Sequence, residues 1–224
     1  SKLDYVEEEL DKKVQLNIDF AKKNMVNSIY KQAILEGVTT TLLDTENIIE
    51  GGKVSNMNYE DVMKIVNLKH AWEFILNKNV IMSPTNFSLI SEINKLTLEG
   101  FYYNAGNIRS IPVKIGGTNY IPTLPIESAV KEDIEKILDS HKSVVDISID
   151  LLLYISRKQL FLDGNKRTSV IAANHYLISH SKGLIIIPSE LVEHYKILLI
   201  RYYESNDSLE IRKFLKEKCY TNIK

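Results

Sequence analysis

Apolar residues recur at a spacing near 3.6 along most of the chain. The first such stretch begins at Leu3 and continues through Val14 and Ile18. This periodicity is the signature of amphipathic helices, so it predicts a mainly α-helical protein. The predicted helices cover residues 3–36, 59–77, 83–98, 127–157, 165–181 and 189–204, and a last helix opens with a capping-box pattern at 207–210.

Residues 100–125 differ in composition from the rest of the chain. Glycine and proline interrupt two short runs with β character, at 111–115 and 119–121. Glycine and proline at such positions are typical of turns, and short β-like runs between turns indicate a hairpin. We therefore expect one small β-hairpin inserted in the helical fold.

Composition and charge narrow the classes of function. With 224 residues, 44% hydrophobic and 25% charged, the chain is expected to form a packed domain, with or without a helical extension. A net charge of −1 gives no general attraction to nucleic acid or to anionic membranes. The longest apolar runs are far shorter than the roughly 20 residues of a membrane helix, and we expect no signal peptide. Cys219 is the only cysteine and is expected to be an inert thiol. These features favour a cytoplasmic protein.

The segment 159–168 carries the strongest chemical signal. It lies between two helical patterns, and Gly164 permits a tight turn into the second one. A glycine turn that feeds a helix exposes unpaired N–H groups and the positive end of the helix dipole. Lys166 and Arg167 add positive charge where it disfavours the helix itself, and a bound polyphosphate would reverse that effect. A plain Asp-Gly turn, with Asp163 as a helix cap, is the alternative, and the glycine spacing does not match a Walker A loop.

The string at 161–168, F-L-D-G-N-K-R-T, resembles the signature of Fic/Doc proteins, H-x-F-x-[DE]-G-N-[GK]-R. Typical members transfer a nucleotide, usually AMP from ATP, to a protein hydroxyl. Doc toxins, which often have lysine at the position of Lys166, transfer a phosphate instead. The resemblance implies a Fic-type helical bundle that uses ATP or another nucleoside triphosphate with Mg²⁺. It also implies roles for individual residues: Asp163 for the metal, Phe161 as a buried anchor, and Gly164, Asn165, Lys166 and Arg167 for the phosphates.

Residues 108–122, hereafter the flap segment, are similar to the stretch that leads into the family's hairpin flap. In the family this flap holds a target peptide by strand addition. The resemblance therefore implies a protein partner that binds at Thr118, Asn119 and Tyr120.

Residues 32–43 are similar to the inhibitory helix of some family members, [ST]-x-x-x-E-[GN]. By that likeness Glu36 would reach into the nucleotide site and obstruct it. The resemblance covers about residues 25–205. It divides the chain into an N-terminal helical region (1–58) with the inhibitory helix, a Fic-like core (59–205) and a C-terminal helix (206–224).

Three positions depart from the family pattern. Gln159 stands where the signature has its catalytic histidine, and an amide cannot take a proton from a hydroxyl near pH 7 as a neutral imidazole does. Val170 replaces a second arginine, which is the usual partner of the inhibitory glutamate. Gln32 replaces the Ser or Thr of the inhibitory motif. None of the five histidines lies in the motif, and the helix places His175 about 15 Å from its start.

These observations leave three functions open. The first is a transferase whose activity is reduced or altered because the general base is missing. The second is a pseudoenzyme that senses nucleotide or binds protein, and the third is a plain helical interaction domain. Self-association remains open in each case.

Overall fold

The computed structural model describes residues 1–223, and its helices account for most of them. A mainly α-helical fold with a small antiparallel element is therefore confirmed. Two short segments of other helical type, a 3₁₀ turn at Ser189–Leu191 and a π-helical turn at Leu215–Cys219, flank the last two α-helices. The α-helices are α1 (Lys2–Lys23), α2 (Met25–Leu35), α3 (Leu42–Ile49), α4 (Tyr59–Leu76), α5 (Lys78–Ile81), α6 (Phe87–Thr97), α7 (Glu127–Leu138), α8 (Val144–Lys158), α9 (Asn165–Ser179), α10 (Val192–Ser205) and α11 (Leu209–Phe214).

Helix α9 lies at the centre of the fold. Nearly all its side chains are buried, polar ones included, so the helix has no exposed polar face. Helix α8 packs along it most extensively, and α6, α1 and α4 cover its other sides. This burial holds the N-terminus of α9, and the loop that precedes it, in a fixed position.

The first predicted helix is broken at Asn24, which separates α1 from α2. The Asn24 side chain donates a hydrogen bond to the Phe20 carbonyl (2.8 Å), and this competes with the regular backbone pattern. The prediction of one helix over 3–36 was therefore wrong. Only the second half of the apolar stripe on α1 is buried, since Leu3 is 76% exposed whereas Ile18 is 1% exposed.

Three other helix boundaries differ from the prediction, and short polar side chains decide two of them. The predicted helix at 127–157 is two helices, and Ser143 caps the second by accepting from the Asp146 N–H (3.1 Å). The helix expected to start at Ser83 begins at Phe87, and Asn86 is its cap. The capping box at 207–210 does not form, since Ser208 is the cap of α11 and makes no side-chain bond there.

Helix α3 was not predicted. It has only eight residues, and its signal is the Thr41 cap, which accepts from the Asp44 N–H at 3.0 Å. A pattern this short is hard to distinguish from a loop, because it spans barely two turns.

The two strands lie elsewhere than expected. Leu184–Ile185 pairs antiparallel with Tyr220–Thr221, whereas the flap segment turns at Gly116–Gly117 without forming a β-ladder in the described chain. The prediction of strands at 111–115 and 119–121 was wrong. Side chains from neighbouring elements, rather than a second strand, hold this segment in place.

None of the helices in residues 1–223 is both long enough and apolar enough to cross a membrane.

His175 makes the protein's stability sensitive to acid. The ring is fully buried, with Nδ1 2.7 Å from the Thr85 hydroxyl and Nε2 2.8 Å from the Val80 carbonyl. Burial lowers the pKa of His175 below its usual value near 6.5, so the unfolded chain binds a proton more readily than the folded one. The free energy of unfolding should therefore fall below about pH 6.5, by up to about 1.4 kcal/mol per pH unit.

Urea unfolding at pH 7.5, 6.5 and 5.5 measures this effect. His175→Gln keeps polar groups at the site but cannot titrate, so it should be less stable at pH 7.5 and lose less between pH 7.5 and 5.5. Equal losses in both proteins would contradict the assignment to His175.

Candidate phosphate-binding site

The loop between α8 and α9 is shaped by two residues in the left-handed conformation. Gln159 ends α8 with a φ of 50°, and Gly164 precedes α9 with a φ of 71°. A side chain at position 164 would also press on Leu98, whose Cδ2 atom would lie 3.2 Å from an added Cβ. Glycine is therefore required there, as the motif predicted. No side chain caps α9, so its first backbone N–H groups have no side-chain partner.

Asn165 holds the loop together. Its side-chain amide donates to the Phe161 carbonyl (2.8 Å), and its Oδ1 accepts from the Phe161 N–H (3.0 Å). Phe161 is 1% exposed and anchors the loop in the core. The Asn165 side chain is thus used within the loop, and only its backbone N–H is left for an anion.

Asn94 supports the same loop and was missed by the sequence reasoning. From α6 it donates to the Asp163 carbonyl (3.0 Å) and to the Thr168 hydroxyl (3.2 Å), and it accepts from the Gly106 N–H (3.0 Å). The residue is fully buried. An asparagine on the apolar side of a helix was the only signal in the sequence.

Gln159 is engaged at both ends of its amide. Nε2 donates to the Ser156 carbonyl (2.7 Å), and Oε1 accepts from the Asn165 amide (3.1 Å). The side chain still borders the cavity described below. It therefore forms part of the wall, fixed by hydrogen bonds, and offers no basic atom.

A cavity of about 310 Å³ opens beside this loop. One wall is the loop and the start of α9, the second is the middle of the flap segment, and the third is helix α10. The motif residues that line it are Gln159, Asp163, Gly164, Asn165 and Lys166, and the other walls contribute Val113–Gly116, Lys196, Leu199, Ile200 and Tyr203.

The lining of the cavity combines charged and apolar side chains. Lys166 on α9, Lys114 on the flap segment and Lys196 on α10 give it three cations. Leu199 and Tyr203 supply apolar and aromatic surface on α10. Such a lining suits a ligand with an anionic tail and a flat organic ring.

Arg167 lies behind the cavity rather than in its lining. Its side chain is 4% exposed, and its Nε atom lies 3.4 Å from Oε2 of Glu36. The two side chains form a close ion pair, but the Nε–H of Arg167 is not directed at the carboxylate. Both Nε of Arg167 and Oε1 of Glu36 lack a hydrogen-bond partner in the described chain. Glu36, at the end of α2, does line the cavity. The inhibitory candidate thus stands between the expected phosphate ligand Arg167 and the space that a phosphate would occupy.

Asp163 stands at the mouth of the cavity with its side chain 49% exposed. One carboxylate oxygen is 3.5 Å from Arg167, and the other accepts a long bond from the Tyr102 hydroxyl (3.4 Å). Burial and the nearby carboxylate raise the pKa of Tyr102. Within residues 1–223 no three His, Cys, Asp or Glu side chains group into a self-sufficient metal site. A Mg²⁺ held by one carboxylate, phosphate oxygens and water fits this arrangement, because Mg²⁺ commonly binds in that way.

The flap residues named by the resemblance do not line the cavity, and two of the three tie the flap segment to α10 and α8. The Thr118 hydroxyl donates to Glu204 (2.6 Å). The Tyr120 ring lies under the Arg157 guanidinium (4.5 Å) and stacks near Tyr203. Asn119, between them, is exposed.

The left-handed glycine, the uncapped buried helix and the lysines of the cavity together give an arrangement that favours an anion. Residues 84–177 match the family described as "Fic/DOC family", and this match confirms the resemblance of the chain to that family. No curated protein matches the chain.

Solved structures share the fold. The chain is similar to a Fic domain containing signaling protein from Bacteroides thetaiotaomicron (TM-score 0.69, 20% identity, 86% of this chain and 80% of that one). It is also similar to Fic-1 from C. elegans (TM-score 0.72, 17% identity, 96% and 69%) and to a Fic family protein from Desulfovibrio desulfuricans (TM-score 0.71, 14% identity, 92% and 69%). At these identities the likeness concerns the fold and not the substrate.

Proposed function

We propose that this chain binds a nucleoside triphosphate with Mg²⁺ at the N-terminus of α9 and transfers its nucleotidyl or phosphoryl group to a protein hydroxyl only slowly. The observation that carries the proposal is the uncapped N-terminus of the buried helix α9, which opens into a cavity beside Lys166 and Asp163. Backbone N–H groups, the helix dipole and a lysine all favour a polyphosphate there. Asp163 would hold the metal ion, which neutralises phosphate charge when bound.

The slow rate follows from Gln159. In AMP transfer the hydroxyl oxygen forms a bond to the α-phosphorus, the bond to the bridging oxygen breaks, and pyrophosphate leaves. The hydroxyl proton must also leave, and the Gln159 amide cannot accept it. Water is then the acceptor, so the rate loses the 10²- to 10⁴-fold that a positioned base typically contributes.

A pseudoenzyme is the second candidate, and one observation favours it. The Gln159 amide is bonded at both ends to the loop, as a structural residue would be. On this view the cavity binds nucleotide and the protein target, but no group is transferred.

A thermal-shift titration with ATP, GTP and CTP, each with and without Mg²⁺, tests the proposed binding. At a nucleotide concentration of 100 Kd the folded protein should gain about 2.7 kcal/mol. The absence of a shift with every nucleotide would leave the plain helical domain as the remaining interpretation. Radiolabel transferred from nucleotide to any protein would separate the slow enzyme from the pseudoenzyme.

We also propose that Glu36 limits nucleotide binding by occupying Arg167. Glu36→Gln should bind ATP–Mg²⁺ about three- to tenfold more tightly, because the guanidinium is then free to turn toward the phosphates. The same change should lower the stability of the nucleotide-free protein, because Arg167 would lose one of its two carboxylate neighbours while remaining buried.

Isothermal titration calorimetry and urea unfolding of the same preparation measure both effects. Glu46→Gln, on α3, changes the same kind of side chain outside the cavity and should alter neither quantity. A Glu36→Gln protein that is less stable but binds no better would show that this glutamate is only structural.

A further inference from the structure

The flap segment forms one wall of the cavity, yet no β-ladder holds it there. Val113, Lys114, Ile115 and Gly116 line the cavity, and the segment has no regular secondary structure. Something else must fix the wall, because an unpaired loop of this length would otherwise sample many conformations.

Arg109 is placed to fix this wall of the cavity. It is 2% exposed, although it carries a charge. Its guanidinium donates to the carbonyls of Ile111 (3.0 Å), near the start of the segment, and Thr123 (2.8 Å), directly after its end. The same guanidinium therefore closes the segment into a loop.

Arg109 also binds the loop between α8 and α9 (residues 159–164), hereafter the motif loop. Its guanidinium donates to the carbonyls of Lys158 (3.3 Å) and Gln159, and its backbone N–H donates to the Leu160 carbonyl (2.9 Å). The bond to the Gln159 carbonyl fixes a residue whose left-handed backbone is unfavourable on its own.

The charge of Arg109 is compensated without an acidic partner. In residues 1–223 no carboxylate lies within ion-pair distance of its guanidinium. Four carbonyl dipoles surround it, and two of them belong to the C-terminal end of α8, where the helix dipole is negative. A lysine could keep the charge there but could not reach four carbonyls in the fixed geometry of a guanidinium.

We infer that Arg109 is a positioning residue that joins the flap segment to the motif loop and thereby sets the wall of the nucleotide cavity. The role in nucleotide binding rests on the function proposed above, whereas the fixing of the flap segment does not. Removing the hydrogen bonds of Arg109 should free the flap segment first and weaken nucleotide binding as a consequence.

Limited trypsin digestion tests the inference without nucleotide. Lys114 is an exposed trypsin site within the flap segment, and Lys53 is an exposed site in a distant loop. In Arg109→Gln the cleavage after Lys114 should be about tenfold faster or more, because bonds to a charged donor are lost, while cleavage after Lys53 stays unchanged. Arg109→Lys should fall between the two proteins. The control Arg201→Gln alters an exposed arginine paired with Glu210 and should change neither site.

Nucleotide titration of the same variants completes the test. The Kd for ATP–Mg²⁺ should rise about tenfold in Arg109→Gln and less in Arg109→Lys. If the natural chain binds no nucleotide, the proposed function fails, but the trypsin result still decides the role of Arg109. Unchanged cleavage at Lys114, or equal acceleration at Lys53, would overturn the inference. If Arg109→Gln does not fold, an unchanged Lys114 rate in Arg109→Lys would overturn it equally.

Discussion

Replacing Arg167 with alanine is expected to remove most of the stabilisation that ATP–Mg²⁺ gives the protein. At 100 Kd the natural chain should gain about 2.7 kcal/mol, or about 5–10 °C in Tm for a chain of this size. Arg167 can reach the phosphates only after it turns from Glu36, and a charge-assisted bond to phosphate then contributes roughly 1.5–3 kcal/mol. Its loss weakens binding up to about 100-fold, so at the same nucleotide concentration the gain should fall to about 0.4 kcal/mol.

The quantity to compare between the proteins is the rise in Tm that nucleotide causes, not the Tm itself. Arg167→Ala also leaves Glu36 without its cation, so the nucleotide-free variant should melt at a different temperature from the natural chain. Arg201→Ala, which changes an exposed arginine outside the cavity, is the matched control and should keep the full shift. A full shift in Arg167→Ala would mean that the N-terminus of α9 and Lys166 hold the phosphates without Arg167, which would contradict this prediction.

The motif loop was predictable from the sequence because its geometry is local. Gly164 has to be left-handed, and Phe161 has to be buried, within a few residues of each other. The local spacing of apolar residues likewise predicted most of the helices, including the buried α9. The helix breaks at Asn24 and Ser143 were missed because one polar side chain, rather than a pattern, decides each of them.

The tertiary partners of the site could not be predicted in the same way. Sequence comparison suggested that Glu36 had lost its arginine, since Val170 stands at the usual position. In the fold Glu36 instead meets Arg167, one turn earlier on the same helix. The two residues are far apart in the chain, and only the packing of α2 against the core brings them together. Asn94 and Arg109 also act through contacts with residues distant in sequence.

The flap segment shows why the expected hairpin did not form. Its glycine and proline residues predicted turns correctly, and a turn occurs at Gly116–Gly117. Strand pairing needs free backbone groups on both arms, but the Ile111 carbonyl on the first arm and the Thr123 carbonyl just after the second are bound to Arg109. The Tyr120 N–H is likewise bound to the Thr118 hydroxyl. Local propensity therefore identified a loop, and buried polar contacts decided its form.

Replacing Gln159 with histidine is expected to raise group transfer to protein by about 10²- to 10⁴-fold, the usual contribution of a positioned general base. The backbone at this position favours the change, because histidine is among the residues enriched at positive φ. The side chain borders the cavity, so an imidazole there can face a bound nucleotide. Neutral imidazole is the basic form, so labelling should rise with pH through about 6.5 and then level off.

The assay compares the natural chain, Gln159→His and Gln159→Asn with α-labelled and γ-labelled ATP. Asparagine removes the amide's contacts without adding a base, so it should not increase labelling. Label from the α position indicates transfer of AMP, and label from the γ position indicates transfer of phosphate. Adding Glu36→Gln to Gln159→His should raise labelling further at low ATP, because nucleotide then binds more tightly. A Gln159→His protein that binds ATP–Mg²⁺ yet labels neither itself nor any protein in an extract would favour the pseudoenzyme, since the missing base would then not be what limits transfer.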